Sequence, residues 1–387
     1  MRRSGLFIAL LGIAVLGSGC GTVGGWFGWG ESAAPRAKPA ELAELKPTVS
    51  LSRAWEASVG TGRPYLFTPA SDGQAAYAAG KEGRIVKLDL ATGRELWRTE
   101  SGQTLSAGVG VGEGLVLVGT PKGELLAYQA SDGQLAWKAA LSGEILTAPV
   151  AGNGMVAARG NDGKIWLLDA RDGKQRWVYS RGLPALILRE PGNLLLTGRA
   201  LFAGHPGGKL TALSLANGGP LWETNVALPR GATELERIAD VAGPLAADER
   251  TVCAAAYQGR LGCFDQNNGN AVWSREFSGL TGVEMGERFL FAADEHAILQ
   301  AHDNLRGTSL WRQDKLRDRK LATPLALASQ IAVGDFQGYV HLLNIEDGAL
   351  VGRAATDGSP VVGQMLPLNS GLIAQTANGG VFAFRTQ

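Results

Sequence analysis

The sequence predicts an all-β fold: an eight-bladed β-propeller of four-stranded antiparallel blades, its ring closed by N- and C-terminal strands that share one blade. Three observations carry that prediction. A short pattern recurs along the chain: an apolar strand end, a polar turn closed by Gly, and a Trp four residues after the Gly. Its intact copies are Gly93/Trp97, Gly133/Trp137, Gly173/Trp177, Gly218/Trp222, Gly269/Trp273 and Gly307/Trp311, and a seventh keeps Gly348 but has Gly352 in the Trp position. The six Trp stand 40, 40, 45, 51 and 38 residues apart, and a fixed turn with an aromatic anchor at a period near 40 marks a repeat fold. Finally, 55 Gly in 387 residues suit a protein of many tight turns and not a helical one.

Taken in order, residues 1–19 read as a signal peptide. Arg2 and Arg3 make a basic start, the apolar run from Leu6 to Leu16 is too short to span a bilayer as a mature helix, and Gly17, Ser18 and Gly19 are small. Cys20 directly after a small residue resembles the bacterial lipobox, in which the Cys is lipidated and becomes the new N-terminus. The lipobox usually has Leu three residues before the Cys, whereas Leu16 stands four before it. Gly21, where an Asp would hold a lipoprotein at the inner membrane, implies sorting to the outer membrane, and several acyl chains on one Cys anchor stably. Residues 20–50 then read as the lipidated Cys and a flexible tether, rich in Gly, Ala, Pro and Glu with little apolar periodicity. Trp26, Phe27 and Trp29 interrupt it, and either sit at the lipid headgroups or hang loose.

Residues 51–387 form the propeller. Each unit reads as three alternating runs and then the Trp strand. In the second, residues 115–119 make a strand, Pro121, Lys122 and Gly123 turn it, residues 124–128 return, and Asp132 and Gly133 turn again toward Trp137. Outer strands of the Trp type number eight, from Trp55 to the degenerate 350–353, and the three-strand portions also number eight, the last at 359–386. The last unit lacks a fourth strand and the Trp55 strand has none before it, so the two complete one blade and leave no open end. Each indole is expected to wedge between neighbouring blades. No helix of ordinary length is demanded, although residues 233–238 can make one turn. The largest departures from the repeat are residues 181–205 and 224–243, in adjacent units, and insertions of this kind gather as loops on one face.

A net charge of +1 gives no reason to expect nucleic acid, which needs a basic stripe. There is no Gly-x-Ser-x-Gly elbow, His-Glu-x-x-His or P-loop, and the four His are scattered at 205, 296, 302 and 341. His302 stands in the turn pattern where other copies have Leu or Phe and reads as structural. Asp89, Asp169, Asp265 and Asp303 recur at one repeat position, but other copies have Gln129, Ser214 and Asn344; turn-forming hydrogen bonds to backbone N–H explain that set better than a metal ring. No metal and no cofactor are expected. Cys253 and Cys263 flank the Gln258–Gly259 turn and face each other across the hairpin, either as a disulfide in an oxidising compartment or as two buried thiols.

The Asp-x-x-x-Gly-x-x-x-Trp pattern resembles the repeats of pyrroloquinoline-quinone dehydrogenases, whose cofactor site is marked by an adjacent Cys pair and a Ca²⁺-binding carboxylate set. This chain has no adjacent Cys pair and is short for that class. Cys20 in its lipobox-like setting and eight such units resemble instead the BamB family, the propeller lipoproteins of the outer-membrane β-barrel assembly (BAM) machinery. The most specific pieces are residues 186–189, 233–241 and 333–341. The resemblance implies a non-enzymatic scaffold at the periplasmic face of the outer membrane, with BamA and other BAM components as partners and unfolded barrel precursors as further ones, met at strand edges. In the family, Leu and Arg of the first piece and acids of the second contact the periplasmic POTRA region of BamA. Carried over, these are Leu186, Leu188, Arg189 and Asp240, while a second family acid falls at Ala242. The alternatives are a quinone-dependent dehydrogenase-like periplasmic enzyme and a ligand- or polysaccharide-binding propeller.

Overall fold

The computed structural model describes residues 38–189 and 192–387. The signal peptide, Cys20, Trp26, Phe27 and Trp29 lie outside them. Eight separate four-stranded antiparallel sheets follow the repeat. Blades 1 to 7 occupy residues 70–100, 107–140, 150–180, 194–225, 246–277, 284–313 and 325–355, each in simple up-and-down order. In blade 8 the order is Leu51–Ser58, Gly380–Thr386, Gly371–Gln375, Leu366–Leu368, so the two chain ends do close the ring in one sheet. The pairing runs from Leu51 opposite Thr386 to Ser58 opposite Gly380, with one bulge between Arg53 and Trp55.

Second strands such as Leu115–Gly119 and Phe289–Ala293 are buried along their whole length, because both faces are covered by neighbouring blades. The core is accordingly divided into eight apolar clusters, one at each joint: Phe291, Leu299, Ile331 and Val333 meet between blades 6 and 7, for example.

The repeated Trp and the repeated Gly make a single contact. Each indole donates its Nε1–H to a turn carbonyl of the next blade: Trp55 to Leu90, Trp97 to Ala130, Trp137 to Ala170, Trp177 to Leu215, Trp222 to Gln266, Trp273 to Asn304 and Trp311 to Ile345, all at 2.7–3.1 Å. The ring lies flat on the Gly of that same turn. A Cβ at Gly307 would come within 2.3 Å of the Trp273 ring, and Gly307 also holds φ at +66°, so Gly is required there twice over. The turn acids act as expected: Asp89, Asp169, Asp265 and Asp303 accept backbone N–H groups of their own turns.

The joint between blades 7 and 8 differs for a reason the fold supplies. Here the turn is replaced by the two chain ends, paired through Ser50 N–H to Gln387 O and back, at 2.9 and 3.0 Å. A Trp would have no Gly turn to lie on, and the place is taken by residues before the first strand: a Cβ at Gly352 would stand 2.8 Å from Val49 O. Residues 39–50, expected as the end of a flexible tether, are thus fixed to the ring. Ala40 N–H donates to Arg317 O, and the N–H groups of Thr48 and Val49 both donate to Val351 O.

Candidate partner-binding site

Residues 181–193 link blade 3 to blade 4, and residues 226–245 link blade 4 to blade 5. Among the described residues neither has a ladder to satisfy its backbone, so its polar groups must be satisfied one at a time. Asp240 ties the two loops together. Only 4% exposed, it accepts Leu188 N–H at 2.7 Å and Gly207 N–H at 3.0 Å, joining the first loop, the second loop and the hairpin turn of blade 4. Gly192 bridges Gly243, and Val241 N–H donates to His205 O at 3.2 Å. The two irregular stretches therefore form one patch, as their places in adjacent units predict.

Arg159 supports the patch from below. Buried at the end of its strand, it donates from Nη1 to Gly192 O at 3.0 Å and to Gly204 O, while Nη2 meets His205 Nδ1 at 3.1 Å. Burial pulls its pKa down to about 10, against the pull of Asp240, so it remains a cation at neutral pH. His205 is pushed well below its ordinary value, first by burial and then by Arg159, and is neutral, which suits it to face the guanidinium with an unprotonated nitrogen.

The sequence-predicted residues divide into two roles. Leu186 is exposed, Leu188 is half-buried, and the Arg189 side chain is 71% exposed, reaching the Glu144 carboxylate at 3.0 Å across the blade 2–3 connection. These residues lie in a loop and not in a strand. Asp240, expected as a contact residue, does not reach the surface: its carboxylate positions the loop that carries the other three. Ala242, where a second family acid falls, is fully buried.

The second loop adds exposed Leu228 and Leu235. Residues 233–237 do make one turn, closed by a capping box: Thr233 Oγ1 accepts Glu236 N–H, and Glu236 accepts the N–H groups of Thr233 and Ala232. Sequence reasoning missed Arg159, Glu144 and His205. A signal for Arg159 exists, since the last residue of the second strand is Ala79, Gly119, Ala255, Ala293 or Gly334 in five blades and a cation here. Among the described residues no group of three or more His, Cys, Asp or Glu could hold a metal ion.

A sequence model described as "Outer membrane protein assembly factor BamB" matches residues 81–313. A protein of that name from Burkholderia pseudomallei is 40% identical over 351 residues, 90% of this chain and 92% of the relative. The chain belongs to the BamB family. The Bordetella pertussis BamB is 37% identical, covering 90% of this chain and 91% of its own. The crystal structure of BamB from Moraxella catarrhalis superposes with a TM-score of 0.79 at 26% identity, over 87% of this chain and all of that one. A quinohemoprotein alcohol dehydrogenase from Comamonas testosteroni shares the fold alone, at 14% identity and a TM-score of 0.68. As a member of that family the chain is a non-enzymatic outer-membrane protein assembly factor, a component of the BAM complex associated with the outer membrane.

Proposed function

We propose that this chain docks the periplasmic POTRA region of BamA through the patch of residues 183–189 and 228–236, while lipids on Cys20 anchor it at the periplasmic face of the outer membrane. One observation carries the docking surface: Leu186 and Arg189 stand exposed on a loop fixed from behind by buried Asp240 and Arg159. A loop already held in place avoids the ordering cost of binding, about 0.5–1.5 kcal/mol for each immobilised side chain. Arg beside apolar groups is also a common hot-spot composition. Arg189→Glu is expected to weaken binding to purified BamA periplasmic domain by roughly 2–5 kcal/mol. The same variant is expected to change fold stability by only ~0.5 kcal/mol, because the side chain is at the surface. Unchanged affinity removes Arg189 from the interface. Lost binding with a collapsed melt assigns it a structural role instead.

A second contact, with unfolded barrel precursors, is favoured by the rim. The outermost strands of blades 1 to 6 leave one edge unpaired, and each exposes an apolar residue: Leu96, Leu135, Val178, Leu221, Val272 and Leu310. Such edges accept an added strand. Lys at Leu96, Leu221 and Leu310 together should abolish precursor crosslinking while leaving BamA binding intact. Unaltered precursor crosslinking rejects the rim contact.

A further inference from the structure

Residues 333–341 carry part of the family resemblance, yet they lie in blade 7, away from the patch. Asp335 is fully buried there, and accepts the backbone N–H groups of Gln337 and Tyr339 at 2.9 and 3.0 Å. Its other oxygen takes Arg319 Nε–H at 2.8 Å and His341 Nε2–H at 2.9 Å. The imidazole tautomer follows from its second neighbour: Arg353 can only donate, and its Nε–H meets His341 Nδ1 at 3.2 Å. Arg319, from the connection between blades 6 and 7, and Arg353, from the outermost strand of blade 7, then reach the same segment. Arg319 Nη1 donates to Ala40 O at 2.9 Å, and Arg353 Nη1 donates to Ala43 O at 3.2 Å. Further along, Thr48 and Val49 bond Val351 O, and Leu42 and Val49 pack against the clusters of the adjoining joints.

We propose that this network is a lock for the chain's own N-terminal strap, residues 39–50, and that it shields the ring-closing strand from load arriving at the N-terminus. The strap leads directly into Leu51–Ser58, the strand whose pairing with Gly380–Thr386 closes the ring. A pull on that strand alone would act at the Leu51–Thr386 end and open the pairs one after another. The lock places two charge-assisted bonds, backed by a buried carboxylate, ahead of the first pair. Docking of the strap stands on the contacts above; only the direction of load rests on the anchoring at Cys20.

Pulling on the full mature chain between handles at residue 20 and the C-terminus tests this. The wild type is expected to hold until strap and ring give way in one event, because the Leu51–Thr386 end carries no load while the strap is docked. In the Arg319→Met/Arg353→Met double variant the ring opens at lower force, and a wild-type strap that lets go in a separate, earlier step overturns the shield. An identical trace from both proteins overturns the proposal. Should the double variant not fold, Arg353→Met alone leaves Asp335, Arg319 and His341 in place. Hydrogen exchange at Ala40, Thr48 and Val49 should then rise at least tenfold while Gly380–Thr386 stays protected, and unchanged exchange at the strap overturns the lock. Labelled fatty-acid incorporation judges the anchoring separately: a wild type that takes up no label, or a Cys20→Ser variant that takes up as much, rejects the anchor and leaves the pulling result standing.

Discussion

The rim joints and the loop patch solve the same problem in opposite ways. At seven joints one indole, one carbonyl and one Gly turn repeat, so a single local pattern holds blade to blade wherever it occurs. At the patch nothing repeats. Its loops depend on one buried carboxylate, Asp240, and one buried guanidinium, Arg159, each satisfying two backbone groups. Repetition builds a frame with interchangeable parts. An irregular surface with its own buried ions is costly to maintain, and in exchange it presents a shape found nowhere else on the ring.

The largest expected effect breaks the frame outright. Deleting residues 380–387 removes the strand paired with both Leu51–Ser58 and Gly371–Gln375, and should abolish the cooperative melt. A truncated chain that melts like the full one contradicts ring closure. One step down, Trp311→Ala should cost about 3–5 kcal/mol in denaturant unfolding, as for a large buried aromatic. Gly352→Trp at the seam should not stabilise, because Val49 O already fills the space. A gain there would mean that the seam is an imperfect copy of the other joints and not a different one.

Acidity should separate the two regions further. Burial lifts Glu284, on the innermost strand of blade 6, to about 7 from an ordinary 4.5. Its folded pKa is raised, so its contribution is full below about 4.5 and is lost as pH rises to about 7. Glu284→Gln should therefore match the wild type at pH 4 and melt higher at pH 8. His205, beneath the patch, is displaced the other way, by burial and then Arg159. The unfolded chain takes up its proton below about 6.5 where the folded chain does not, so stability falls as pH drops through that value. Protection factors at the patch, corrected for the intrinsic pH dependence of amide exchange, should fall on acidification from pH 7.5 to 5.5, and further than in His205→Gln. Equal pH responses in variant and wild type would remove either group from the account.

The smallest effect concerns the pair in blade 5. Cys253 and Cys263 stand opposite each other in neighbouring strands and are joined as a disulfide. Protein exported to the periplasm should resist thiol labelling at both under denaturing, non-reducing conditions. Full labelling would show free thiols and would leave the joints untouched.

What the sequence made legible was what repeats. The Gly and Trp positions announced the blades, and the orphan Trp55 strand announced the closure. The reason Gly352 lacks an indole was not legible, because it depends on two chain ends meeting. Residues 39–50 read as tether because they lack periodicity, yet what fixes them is donated by Arg319 and Arg353, hundreds of positions away. The patch was visible only as a break in spacing. That Asp240 faces inward while Arg189 faces outward depends on which backbone N–H groups lack partners, and spacing does not encode that.

The central claim is that the patch, and not the frame, meets BamA. Exposure alone does not separate the two regions, since Leu186 and Leu235 are 46% and 68% exposed and the rim residues Leu96 and Leu310 are 43% and 42%. A photo-crosslinking residue placed at each of these four positions in intact membranes compares them directly. BamA adducts from 186 and 235, with none from 96 and 310, are the predicted result. BamA adducts from the rim positions, or equal adducts from all four, would contradict it.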